Sequence, residues 1–244
     1  MKRLEIPLLS ALICALLTGP ALADSNLAIA LPQPGSQSGP QPGPQSAGAS
    51  LAQLALGLPL PAARWDDQPQ SGDWTQTVLD AIATTAPDMA TLQPQDIGDW
   101  CPAYLAAPNA QRRDFWVGLI SALVHHESYY NPRNVSGGGQ WFGLMQIFPP
   151  TARGYGCDAR SGDALLDPQA NLTCAVQIMA QSVADWPSIS VNNGRWRGVA
   201  AQWGPMTQTR KRQDMQAWTN AQDYCQVSDR LALGPARLPL PALQ

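Results

Sequence analysis

Glu127 is the residue whose type and position could do chemistry. Phe115, Leu119 and Leu123 are spaced by four, which places them on one face of a helix, and Glu127 is the next member of that series. A carboxylate therefore stands where an apolar stripe should continue. There it loses hydration, the charged form suffers most, and its pKa should rise. A carboxylic acid still protonated near neutral pH can hand a proton to a departing oxygen, which glycosidic bond cleavage requires. Spacing alone also admits a frayed helix end whose glutamate reaches water. Other chemistries are less complete. His126-Glu127 opens an H-E-x-x-H zinc pattern, but position 130 is Tyr and the only other histidine is the adjacent His125. No metal and no cofactor is expected. Asp158, Asp163 and Asp167 are the candidates for a second carboxylate; Asp167 reads better as a helix cap.

The elements that must position Glu127 read as helices. Asp73 is a candidate cap for a helix carrying Val78, Leu79 and Ile82. Asn109 is a candidate cap for the next, in which Phe115, Trp116, Leu119, Ile120, Leu123 and Val124 recur at helical spacing. Asp167-Pro168 is a helix start, with Pro in the first turn and Leu172, Val176, Met179 and Val183 as the buried stripe. A last helix is expected from about Thr207 to Tyr224, with Met215, Trp218 and Ala221 inward. Strand signals are scarce, so the fold class is mainly α.

The chain has 244 residues and a formal net charge of -3, which gives no basic field of the kind nucleic acid attracts. The local cations Arg112-Arg113 and Arg210-Lys211-Arg212 read as solvated helix faces. Residues 1–23 read as a secretory signal: Lys2 and Arg3, an apolar run to Leu17, then Ala21-Leu22-Ala23. No stable membrane insertion is expected once it is cleaved. Residues 24–71 are rich in Pro, Gly, Gln and Ser and read as a largely disordered linker. A domain at 72–228 and a loose Pro/Leu-rich tail at 229–244 complete the organisation. Cleavage of the signal removes Cys14 and leaves Cys101, Cys157, Cys174 and Cys225. An even number in an exported chain argues for two disulfides. Three pairings are open; Cys157–Cys174, closing a short loop, and Cys101–Cys225, tying the domain's start to its end, are favoured.

Downstream of Glu127 the order of motifs is specific. Glu127-Ser128 is followed by Asn131-Pro132, Ser136, Gly143-Leu144-Met145-Gln146-Ile147, then Pro149-Pro150-Thr151-Ala152. This set resembles the soluble lytic transglycosylases, which share a lysozyme-like fold with goose-type lysozymes. The likeness is specific over residues 124–156 and looser through 171–179. It implies Glu127 as catalytic acid and then base, and Ser128 as a positioning group. It also implies Ser136, Gly143, Leu144, Met145 and Gln146 at the sugar groove. The late Ala-Tyr-Asn-Ala-Gly stretch of that family is here Ala200-Ala201-Gln202-Trp203-Gly204-Pro205. Gln202 and Trp203 take its place as candidate sugar contacts.

The resemblance implies peptidoglycan glycan strands as substrate and a non-hydrolytic cleavage that leaves 1,6-anhydromuramoyl ends. It implies the periplasm or cell envelope as the location. Two readings compete: a goose-type lysozyme-like hydrolase, and a non-catalytic peptidoglycan-binding module of an envelope-spanning assembly. An envelope-spanning secretion or flagellar assembly stays open as a partner.

Overall fold

The structure, a computed structural model, describes residues 59–227. The signal, the linker up to residue 58 and the tail lie outside the described residues.

The fold is built on one helix with no wet face. Helix α2 (Asn109–Ser128) buries every residue from Phe115 to Val124, Gly118 and Ser121 included. A helix apolar on all sides needs packing on all sides. Around it stand α1 (Ser71–Thr84), α5 (Pro168–Asp185) and α7 (Thr209–Asn220). Helix α1 packs mainly on α5, and α7 lies along α2. Two strands, β1 (Val135–Ser136) and β2 (Trp141–Phe142), form a small antiparallel hairpin, pairing Val135 with Phe142 and Ser136 with Trp141. Short helices α3 (Pro149–Gly154), α4 (Gly162–Leu165) and α6 (Gly204–Thr207) join the larger elements. The described residues are mainly α.

Local chemistry explains most helix ends. Asp167 caps α5: its Oδ1 accepts from Ala170 N–H at 2.8 Å, with Pro168 in the first turn. Two other expected caps lie inside their helices, Asp73 by three residues and Asn109 by one. Asp73 sits in the first turn of α1, where its charge suits the helix dipole, and Asn109 is the first residue of α2 after Pro108. The last helix is shorter than its pattern suggested. It ends at Asn220, Ala221 is exposed and Trp218 is half-buried. Thr219 is buried in their stead, its hydroxyl donating to Trp100 O at 2.8 Å.

Packing begins before residue 72. Ala63 and Trp65 are buried, and the Trp65 indole donates to Thr75 Oγ1 at 2.8 Å and meets Trp74 edge-on at 5.7 Å. Residues 62–71, assigned to the linker by composition, thus lie against the domain. Disulfides join Cys101 to Cys225 and Cys157 to Cys174. Beside the first, Tyr224 lays its ring against α2 and donates to Ala62 O at 3.1 Å. The helix admits that ring because position 118 is glycine: a Cβ there would collide with the Tyr224 hydroxyl. Gly118→Ala should therefore lower stability by about 1–3 kcal/mol despite its better helix propensity. Urea unfolding would measure the loss, and Gly118→Ala paired with Tyr224→Phe should recover part of it.

Candidate active site

Helix α2 ends in a way its sequence makes costly. Tyr129 and Tyr130 both take left-handed backbone conformations, with φ of 51° and 65°, before Asn131-Pro132. Such angles are uncommon for bulky residues and persist only where neighbours hold them. Tyr130 is held by its hydroxyl, which donates to Arg64 O at 2.9 Å. The chain then turns away at once and leaves Glu127 in the last turn of the helix, at the edge of the core.

Glu127 is half-buried, and its carboxyl makes no hydrogen bond or ion pair among the described residues. Burial pushes its pKa up to about 7, with Lys211 on α7 drawing it partly back. The next residue back is anchored. His126 Nε2 lies 2.7 Å from Asp214 Oδ2, and Arg64 places Nη1 2.5 Å from the same oxygen. Asp214 is held ionised, first by the Arg64 hydrogen bond. Burial lowers the pKa of both His125 and His126, so neutral His126 donates to Asp214. The Arg64 backbone N–H also donates to Ser121 Oγ at 2.8 Å. Three groups of Arg64 thus fasten the end of α2. Among the described residues no three His, Cys, Asp or Glu side chains converge as metal ligands would.

The segment from the hairpin to Ile147 is tied from inside. Gly143 has φ of 77° and lies so close to Leu165 O and the Asn171 amide that a Cβ would overlap both. Asn171 is fully buried. Its Oδ1 accepts from Met145 N–H at 2.9 Å, and its amide donates to Phe142 O at 3.0 Å and Leu165 O at 2.9 Å. The Gln146 amide donates to Asn134 O and Gly143 O, while its Oε1 accepts from Ser136 Oγ at 2.6 Å.

These contacts revise the roles expected from the motif. Leu144 and Met145 are completely buried, so their side chains belong to the core and not to a groove. Trp203 is also buried, with its indole donating to Met145 O at 3.0 Å. Ser128 is buried against Val124 O, and Ser136 and Gln146 bond each other. Gly143 serves close packing on Asn171. Gln202 is exposed. A narrow cleft of about 50 Å³ does open along the segment, lined by Trp141, Gln146, Phe148, Thr151, Gln202 and Trp203 among others. Trp141 and Phe148 are its exposed aromatic faces, at 42% and 38%. Sequence reasoning passed over both, although aromatic residues in a Gly-rich turn with little to cover them were the available signal. It also passed over Arg64 and Asn171 as site-forming residues. Arg64 lay in a stretch whose composition read as linker.

With this geometry in view, residues 105–216 match the family model of the transglycosylase SLT domain. Among solved structures, the chain is similar to wild-type DslA, form 2, at 25% identity and a TM-score of 0.61, over 68% of this chain and 98% of that one. Two glutamate-to-glutamine variants of DslA match alike. One has 25% identity and a TM-score of 0.61, over 67% and 97% of the two chains; the other, 24% and 0.62, over 69% and 100%. No curated protein matches.

Two measurements follow. Asn171→Ala leaves Met145 N–H and Leu165 O without partners and Phe142 O with only its bond from Ile147 N–H, and should cost about 2–5 kcal/mol in chemical denaturation. Glu127 binds its proton more tightly folded than unfolded. Stability is therefore fullest below the ordinary value of 4.5 and falls as pH rises through the window up to about 7. Glu127→Gln cannot ionise and should abolish that decline. Its melting temperature should match the wild type below about pH 4 and exceed it above about pH 7, by ~1–3 kcal/mol of stability. Parallel melting curves at all pH values would contradict the raised pKa.

Proposed function

We propose, from the premise that this chain carries a transglycosylase SLT domain, that it is a peptidoglycan lytic transglycosylase with Glu127 as its acid and base. The observation that carries the reading is the Glu127 carboxyl itself: half-buried, without a partner, and with a pKa pushed to about 7. Such a group holds a proton at neutral pH and can release it, then take another back.

In the proposed reaction the protonated Glu127 donates to the oxygen linking N-acetylmuramic acid to N-acetylglucosamine. That bond breaks, and the N-acetylglucosamine chain departs as an alcohol. The Glu127 carboxylate then takes the proton of the muramoyl C6 hydroxyl as O6 closes onto C1. No water enters, and Glu127 ends protonated as it began. Lys211 would steady the carboxylate between the two steps, since its charge favours the ionised form.

Hydrolysis in the usual way needs a second carboxylate to activate water or attack C1. Asp167 caps α5, and Asp214 is bound by Arg64 and His126. Asp163 lies in the first turn of α4 and Asp158 is exposed beside Cys157. The engagement of Asp167 and Asp214 favours intramolecular closure over lysozyme-type hydrolysis. The two disulfides fit an oxidising compartment, and a peptidoglycan substrate fits the cell envelope. No helix among the described residues is long and apolar enough to cross a membrane.

Digestion of purified sacculi tests the reading. Mass analysis should find 1,6-anhydromuramoyl ends, and Glu127→Gln should lower the rate of their formation by about 10³-fold or more. Ends carrying an added water would mark a hydrolase. Equal clearing by variant and wild type would remove Glu127 from the chemistry.

A further inference from the structure

A positive surface flanks the Glu127 site in a chain whose formal net charge is -3. Residues 195–212 hold five cations, Arg195, Arg197, Arg210, Lys211 and Arg212, and no carboxylate. None of the five makes an ion pair among the described residues. The 191–198 loop and helix α7 are joined here by stacking: Arg212 lies over the Trp196 ring at 5.0 Å. Within the loop, Arg197 lies over Trp186 at 4.2 Å, with its Nε bonded to Asn193 Oδ1 at 3.1 Å. A guanidinium stacked over an indole is held in place at low entropic cost; Arg212 Nη1 also donates to Met206 O at 3.1 Å, which leaves the remaining N–H groups for a planar carboxylate.

The helix itself argues that these cations serve a ligand. Arg210, Lys211 and Arg212 occupy the first turn of α7, which has no acidic residue. The positive end of the helix dipole lies there, so each cation is set against it. A helix needed only for packing would gain from acidic residues at those positions. Local choices that oppose the fold in this way mark functional surface. The ridge is also continuous with the chemistry: Asp214, one turn on from Lys211 in α7, lies 2.7 Å from His126, the neighbour of Glu127.

We infer that the Arg/Trp ridge formed by the 191–198 loop and the start of α7 is a docking surface for the carboxylates of peptidoglycan stem peptides, adding peptide recognition to the proposed glycan site. This rests on the wall-lytic reading for the identity of the polymer. Stem peptides repeat along the glycan and present carboxylates beside the sugars to be cut, so charge complementarity and position agree. A bilayer is a poorer fit. Trp186 and Trp196 each carry a guanidinium over the ring, and insertion of either indole would take that charge out of water.

Binding can be read apart from cleavage in the full chain bearing Glu127→Gln. Co-sedimentation would compare purified sacculi with sacculi whose stem carboxyls are converted to carboxamides, and with phosphatidylglycerol vesicles. Binding should be about tenfold weaker on the carboxamide walls. Adding Arg195→Gln, Arg197→Gln and Arg210→Gln should give a similar loss on native walls and little further loss on carboxamide walls. Equal binding to both walls, or tighter binding to vesicles than to native sacculi, would overturn the inference. The wall comparison needs no ridge variant, so it decides the matter even if the triple variant folds poorly. Failure of the lytic reading would show instead in the glycan ends made by the wild type.

Discussion

A carboxyl that has lost water and found no partner sets the terms for everything near it. Helix α2 delivers Glu127 to the edge of the core only because the helix is apolar on every side and is enclosed by other elements. That enclosure is particular at each contact. Tyr224 lies in the notch left by Gly118, Trp65 closes over Trp74, and α7 runs along the helix with Asp214 bonded to His126. The same burial that stabilises the helix destabilises the charged form of its last carboxyl, so one packing arrangement supplies both the scaffold and the raised pKa. Two left-handed tyrosines end the helix at some local cost, which the hydrogen bond from Tyr130 to Arg64 offsets.

The Gly143–Ile147 segment shows a second way in which a motif can matter. Its side chains turn inward: Leu144 and Met145 fill core space, and Gln146 spends its amide on its own turn. Asn171, on a different helix, pins that segment through Met145 N–H and Phe142 O and ties it to Leu165 O. The motif thus shapes a wall, and the surface offered to a ligand falls to neighbours such as Trp141, Phe148 and Gln202. A motif can shape a site without touching what the site binds.

The legible parts of the fold were those governed by short-range rules. The buried run of α2 and the Asp167 cap of α5 follow from spacing and capping within a few residues. So did the suspicion that Glu127 breaks an apolar series, although the helix proved buried on all faces and not along one stripe. What escaped were contacts between distant parts of the chain. Trp65 reaches Thr75, Arg64 reaches Asp214, and Thr219 replaces Ala221 on the inner side of α7 because Trp100 O needs a donor. Composition placed residues 62–71 with the linker, since a few buried side chains among many Pro and Gln do not alter an average. Trp203, read as a sugar contact, borders the cleft but is otherwise buried, with its indole donating to Met145 O.

The bridge between Cys101 and Cys225 encircles the whole family-matched stretch, 105–216, with a margin at each end. The homologous core is therefore a closed ring of chain and not a free-standing piece. Reducing that single bond would loosen both margins together, including the Tyr224 notch on α2 and the Thr219 seat beneath Trp100. The oxidised and the reduced chain would therefore differ in the rigidity of the helix that carries Glu127.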